Sequence, residues 1–150
     1  MPSEELRKKI QYRSEAIEAE KLPLKLTDFR CFGYVQERDI PVWVGRHVSQ
    51  WQQTNSEPHS RIDDDREERI NRWVERFTET SGVGRRFYCR TGLEFFPWID
   101  CEATEETWGG NLREALGSDL IFVSHNKTRI AVVFEEEYEL LGFSGSALER

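Results

Sequence analysis

Three histidines, three cysteines and 28 acidic residues are the side chains of this 150-residue chain that could do chemistry. His47, His59 and His125 stand far apart in polar or amphipathic stretches. Any of them could serve as a general base, but that role needs a group to orient the ring, and no adjacent pattern supplies one. Cys31, Cys89 and Cys101 lack the C-x-x-C spacing of a zinc or redox site, and their odd number fits no disulfide framework. Buried thiols in a reducing cytosol account for them. Cys89 is bracketed by Arg85, Arg86 and Arg90, which would favour a thiolate, yet its apolar neighbours argue for an inert group. The chain has no GxSxG elbow, no GxxxxGK(S/T) and no HExxH. Gly82-Val83-Gly84-Arg85-Arg86 looks like an anion loop but lacks the third glycine and follows a helical pattern instead of a strand.

The carboxylates remain. Asp63-Asp64-Asp65-Arg66-Glu67-Glu68 has no calcium-loop spacing, and neighbouring side chains on a helix diverge, so it reads as a solvated first turn at the positive end of a helix dipole. Glu102, Glu105 and Glu106 are likewise explained by a helix start. No catalytic, cofactor-binding or metal-ligating set is expected, and the chain reads as a non-enzyme. The net charge of −7 is uneven: residues 101–150 hold four Lys/Arg against ten Asp/Glu. Such a face repels nucleic acid and anionic membranes, whose binding depends on Lys and Arg. It attracts a basic protein, where it is more than plain solubility. Glu135, Glu136, Glu137 and Glu139, with Asp100, Glu102, Glu105 and Glu106, are the expected partner-binding surface.

The elements that must position these residues centre on Leu120 to Phe143. Leu120–Val123 and Ile130–Phe134 are short, unbroken, β-branched and aromatic runs, which predicts two central strands covered on both faces. His125-Asn126 marks the turn between them, and Tyr138 to Phe143 is a third strand. Arg86 to Trp98 reads as a hairpin around Arg90-Thr91-Gly92, with Leu93 to Phe96 as its second arm. Helices are expected at Ser3 to Lys21, ended by Leu22-Pro23, at Asp39 to Gln53, at Arg61 to Thr80, and at Thr104 to Leu116, stopped by Gly117. In the third helix Ile70, Trp73, Val74 and Phe77 form one apolar face, with Asp65–Arg69 and Glu68–Arg72 as supporting pairs. Gly109-Gly110 in the last is either a frayed start or a close approach to another backbone. Within Lys25 to Glu37, Phe29, Cys31 and Tyr34-Val35 hint at a strand broken by Gly33. Thr54 to Ser60 is a mobile polar loop, and Ser144 to Arg150 a loose tail. Trp43, Phe95, Phe96 and Trp98 do not all fit one core face; they are a second buried layer or interface anchors. The sum is a single α+β domain over residues 1–150: an antiparallel sheet of about five strands, with the helices at 61–80 and 104–116 packed on it. No stretch is apolar enough to span a membrane, and no signal peptide precedes the first helix, which predicts a cytoplasmic protein.

Trp108-Gly109-Gly110-Asn111-Leu112, Leu116-Gly117-Ser118-Asp119, the strand to Ser124 and then Ile130–Phe134 with its acidic continuation resemble the C-terminal part of small bacterial immunity proteins. These neutralise toxins delivered by neighbouring bacteria, of the contact-dependent-inhibition or polymorphic-toxin type. The resemblance covers about 40 residues and transfers no active-site residue. It implies a single-domain, acidic, cytosolic protein that occludes a toxin's active site; the charge pattern adds that the toxin is a basic one. Two other readings stand beside it. One is a small hydrolase or transferase with His125 or His47 as base; the other is a structural or regulatory subunit that docks another chain through Leu6, Ile10 and Ile17.

Overall fold

The two apolar runs lie side by side near the middle of one antiparallel sheet. In the computed structural model, which describes residues 3–53 and 56–148, the strands are β1 (Phe29–Val35), β2 (Ser60–Ile62), β3 (Arg86–Arg90), β4 (Trp98–Ala103), β5 (Leu120–Ser124), β6 (Arg129–Glu135) and β7 (Leu140–Ser146). Their order across the sheet is β1-β4-β3-β5-β6-β7-β2. The helices are α1 (Glu4–Lys25), α2 (Val42–Gln53), α3 (Glu67–Thr80) and α4 (Gly109–Leu116). The class is α+β as expected, with seven described strands where about five were expected.

Side-chain alternation explains the two faces. Leu120, Phe122, Ala131 and Val133 join one core with Leu22 and Leu26 from the α1 end, Ile70, Val74 and Phe77 of α3, and Leu112 of α4. Val123, Ile130 and Val132 point the other way and join Val44 and Val48 of α2, with Trp98 and Phe143. A run with no polar residue is covered on both sides, as its composition requires. The misfit Trp98 belongs to this second layer and is 1% exposed.

Several boundaries differ from expectation. α1 does not stop at Pro23 but continues to Lys25. Proline has no N–H to give the carbonyl four residues back, and the Tyr34 hydroxyl donates to that carbonyl, Ala19 O, at 2.6 Å. β1 pairs with β4 through a bulge between Cys31 and Gly33, and Gly33 takes the positive φ of 112° that this bend needs. α3 starts at Glu67 instead of Arg61 because Ser60–Ile62 pairs with Gly142–Leu140. The same β7 absorbs Ser144 to Ser146, so the expected loose tail is strand up to that point. The second arm of the hairpin is Trp98–Ala103, not Leu93–Phe96; Phe95 and Phe96 pack instead on Tyr12 of α1 at 5.4 and 5.5 Å. α4 starts at Gly109 with no side-chain cap from Thr104. The expected polar loop from Thr54 begins at positions 54 and 55, outside the described residues.

Gly109 is a close-approach residue. A Cβ there would stand 2.5 Å from Asn71 O of α3, and its N–H donates to Glu75 Oε2 at 2.7 Å. Burial holds the Glu75 carboxyl above its ordinary range, against that opposing hydrogen bond. Gly117 ends the helix at φ 90°. The β5–β6 turn forms as anticipated: Lys127 N donates to Ser124 O at 2.8 Å, and Asn126 Oδ1 accepts from Thr128 N at 3.2 Å.

Candidate functional site: an acidic groove

The pairing of Ile62 with Leu140 brings two acidic segments together. The chain leaving β2 runs through Asp63, Asp64 and Asp65 into Glu67 at the start of α3. The turn between β6 and β7 carries Glu135, Glu136, Glu137 and Glu139. These residues, with Arg66 and Arg113, line a groove of about 680 Å³ whose apolar lining is Ile62, Ile70 and Leu140. Eight carboxylates face two guanidinium groups there.

The local bonds separate held from free carboxylates. Asp64 is held. Its Oδ1 accepts the Arg66 N–H at 2.9 Å and its Oδ2 lies 3.5 Å from Arg69. That backbone hydrogen bond, with the guanidinium groups of Arg69 and Arg66 nearby, keeps its carboxyl below the usual range despite some desolvation. The Asp65–Arg69 pair expected from helical spacing is therefore replaced by Asp64–Arg69. Glu67 accepts from Arg113 Nη1 at 2.7 Å, and the same nitrogen donates to Asn71 Oδ1 at 2.7 Å. Glu139 lies 3.5 Å from Arg61. The turn is closed by Glu136 N donating to Glu139 O at 2.8 Å, and Asp119 Oδ1 fixes the Glu135 N–H at 2.8 Å. Asp63, Asp65, Glu135, Glu136 and Glu137 are exposed and make no ion pair among the described residues. Tyr138, 78% exposed, stands on the rim.

The eight carboxylates expected as one surface thus divide. Glu135, Glu136, Glu137 and Glu139 are in the groove. Asp100, Glu102, Glu105 and Glu106 are not: β4 is separated from β6 by β3 and β5. Asp100 is 9% exposed and takes two bonds from Arg86, Nε to Oδ1 at 3.3 Å and Nη2 to Oδ2 at 3.2 Å. Arg86 also lies 4.0 Å from the centre of the Phe32 ring. Asp100 is therefore a structural partner of Arg86. Glu102 is its half-buried neighbour, and Glu105 and Glu106 are exposed in the loop before α4. Their places in the groove are taken by Asp63, Asp64, Asp65 and Glu67, which sequence reasoning assigned to a solvated helix turn. The missing signal was β2: Ser60-Arg61-Ile62 is too short and too polar to announce a strand.

The other candidates for chemistry occupy ordinary structural positions. His47 lies between Trp43 and Trp51 with Nδ1 2.9 Å from Trp43 O. His59 Nδ1 accepts the Ser144 N–H at 3.1 Å. His125 stacks on Tyr88 at 5.8 Å. None of the three hydrogen-bonds a carboxylate among the described residues. Cys89 and Cys101 are fully buried, which pushes the Cys89 thiol up to about 12 and raises Cys101 well above its ordinary value. No helix is long and apolar enough to cross a membrane among the described residues, and no group of His, Cys, Asp and Glu there is arranged to hold a metal ion. The chain matches no protein-family model, no curated protein and no solved structure at a significant level.

Proposed function

We propose that this chain is a binding protein whose acidic groove engages a basic protein surface, and that the partner is a bacterial toxin acting in the cytosol, as the immunity-protein resemblance implies. One observation carries the reading: acidic segments more than sixty residues apart in sequence converge on one groove, and five of their carboxylates have no ion-pair partner among the described residues. Unpaired carboxylates on neighbouring loops raise the local negative potential, which steers a cationic partner and speeds encounter. Tyr138 on the rim is the kind of side chain that anchors an interface core, while the surrounding charges select the partner. Occlusion of the toxin's active site is what the resemblance implies for such a complex.

Affinity capture with tagged protein from the native cell tests this, followed by titration calorimetry on the recovered partner. A basic toxin domain is expected. Its affinity should fall at least tenfold on Glu135→Lys/Glu136→Lys/Glu137→Lys, and fall steeply with added salt. Binding that is indifferent to both changes overturns the proposal.

A further inference from the structure

Helix α1 has a second apolar face that its own domain does not use. Gln11, Glu15, Ala19, Leu22 and the following Leu26 mark the face turned inward. Gln11 bonds Glu94, Glu15 accepts the Phe95 N–H at 2.7 Å, and Ala19, Leu22 and Leu26 are buried. At about 100° per residue, Leu6, Ile10, Ile17 and Leu24 fall within about 40° of one another and roughly opposite that face. They are 47, 57, 53 and 77% exposed. The stripe is about 27 Å long at the helical rise of about 1.5 Å per residue. Residues 3–10 are exposed on every side, so the first turns of α1 gain little from their own domain. Isolated helical turns are marginal in water without such packing.

We propose that a second copy of this chain covers the stripe, with the two α1 helices antiparallel. The order Leu-Ile-Ile-Leu reads the same in both directions. An antiparallel partner that sets Leu6 against Leu24 of the other copy leaves Ile10 and Ile17 of opposite copies three residues out of level, about 4.5 Å along the axis and within side-chain reach. Charge selects the direction. Between Arg7 and Arg13 the helix has four cations and no acid, and between Glu15 and Glu20 three acids and no cation. Lys9, Arg13 and Glu20 lie on one flank of the stripe, and none of them is ion-paired among the described residues. A two-fold axis across antiparallel helices turns like flanks toward each other, which sets Lys9 level with Glu20 of the other copy. A parallel pair would leave Lys9 and Glu20 eleven residues, about 16 Å, apart along the axis, with no such pairing. Arg7 and Lys25, which approach each other on the far flank of the antiparallel pair, stand nearly a right angle from the stripe and remain in solvent.

Sedimentation of the full chain over a dilution series reaching about 100 μM tests this. The expected limiting mass is twice the 17.7 kDa chain. Ile10→Ser/Ile17→Ser should be monomeric with the near-ultraviolet circular dichroism of the folded domain retained, since both side chains are half-exposed in the single chain. Lys9→Glu and Glu20→Lys should each weaken association at least tenfold, and the double variant should restore it. A monomer at all concentrations, a dimer that survives the isoleucine changes, or a double variant without rescue overturns the proposal. So does stripe-dependent binding of a monomer to phosphatidylserine vesicles. Charge reversal at 135–137 should leave the dimer intact, which keeps this outcome separate from that of the groove.

Discussion

Tyr34→Phe tests whether a side-chain hydroxyl replaces the hydrogen bond that Pro23 removes. The hydroxyl donates to Ala19 O at 2.6 Å, and Ala19 is buried. Phenylalanine keeps the ring and its contact with Phe96 at 5.4 Å, so the change isolates one donor. A buried carbonyl left without a partner costs about 1–3 kcal/mol, which for a chain of this size lowers the melting temperature by about 2–4 °C per kcal/mol. Pro23→Ala supplies an N–H that can reach the same carbonyl. Tyr34→Phe should therefore cost about 1 kcal/mol less in the Pro23→Ala background than in the natural one. Urea denaturation of the four proteins in this double-mutant cycle measures the difference. The alkaline limb gives a second readout. Burial, and to a lesser degree the Cys31 thiol, pushes the Tyr34 hydroxyl up to about 12. Folding thus favours the protonated phenol, and this contribution is intact below about pH 10 and lost as pH rises toward about 12. Tyr34→Phe should flatten that loss. Equal costs in both backgrounds, or an unchanged alkaline limb, would refute the assignment.

Other consequences of the fold are measurable in the same way. A methyl group added at Gly45 meets no atom within 4 Å, whereas one at Gly109 meets Asn71 O at 2.5 Å; Gly45→Ala should add about 0.5–1 kcal/mol of stability, and Gly109→Ala should remove about 1–3 kcal/mol. Thermal melts that move both variants in the same direction would contradict the close α3–α4 approach. Glu75→Gln keeps an oxygen for the Gly109 N–H but removes a carboxyl that burial holds above its ordinary 4.5. A raised carboxyl favours the fold at low pH and weighs against it as pH rises through its folded value. The stability of the glutamine variant relative to the parent should climb as pH rises above the ordinary 4.5 and level off once the folded-state carboxyl has ionised, as denaturation at each pH would read. Ellman's reagent at about pH 8 should leave Cys89 and Cys101 untouched in the native protein and modify all three cysteines in urea.

What could be read from the sequence followed how locally each feature is encoded. β5, its turn and β6 were legible because an unbroken β-branched run, a polar turn and a second run lie within sixteen residues. The apolar face of α3 was legible from its spacing, and of the two readings open for Gly109-Gly110 the fold takes the close approach, whose target, Asn71, lies on another helix. α1 was misread at Pro23 because the local rule that proline ends a helix gave way to a donor on β1, a separate element well past the end of the expected helix. The end of α2 at Gln53 was placed correctly, but it starts at Val42 instead of Asp39, which lies in a separate 3-10 turn over Glu37–Asp39, and its role was not legible. Nothing local says that Val44, Val48 and Trp51 cover the second face of a sheet whose strands lie elsewhere in the chain.

The groove depended on the least local feature of all. Ser60-Arg61-Ile62 becomes a strand only because β7 offers it an edge, and that pairing alone makes neighbours of Asp63–Asp65 and Glu135–Glu137. Without it, each acidic run has a sufficient local explanation, one as a helix start and the other as a turn. Composition gave the sign of the charge but not its geometry. Asp100 shows the converse: in sequence it counts as one more surplus carboxylate, yet in the fold it is neutralised by Arg86 across the strand pair. Local carboxylate density therefore overstates the field around β4 and understates it at the β2–β7 edge. The surface available to a cationic partner is set by which acids the sheet leaves unpaired.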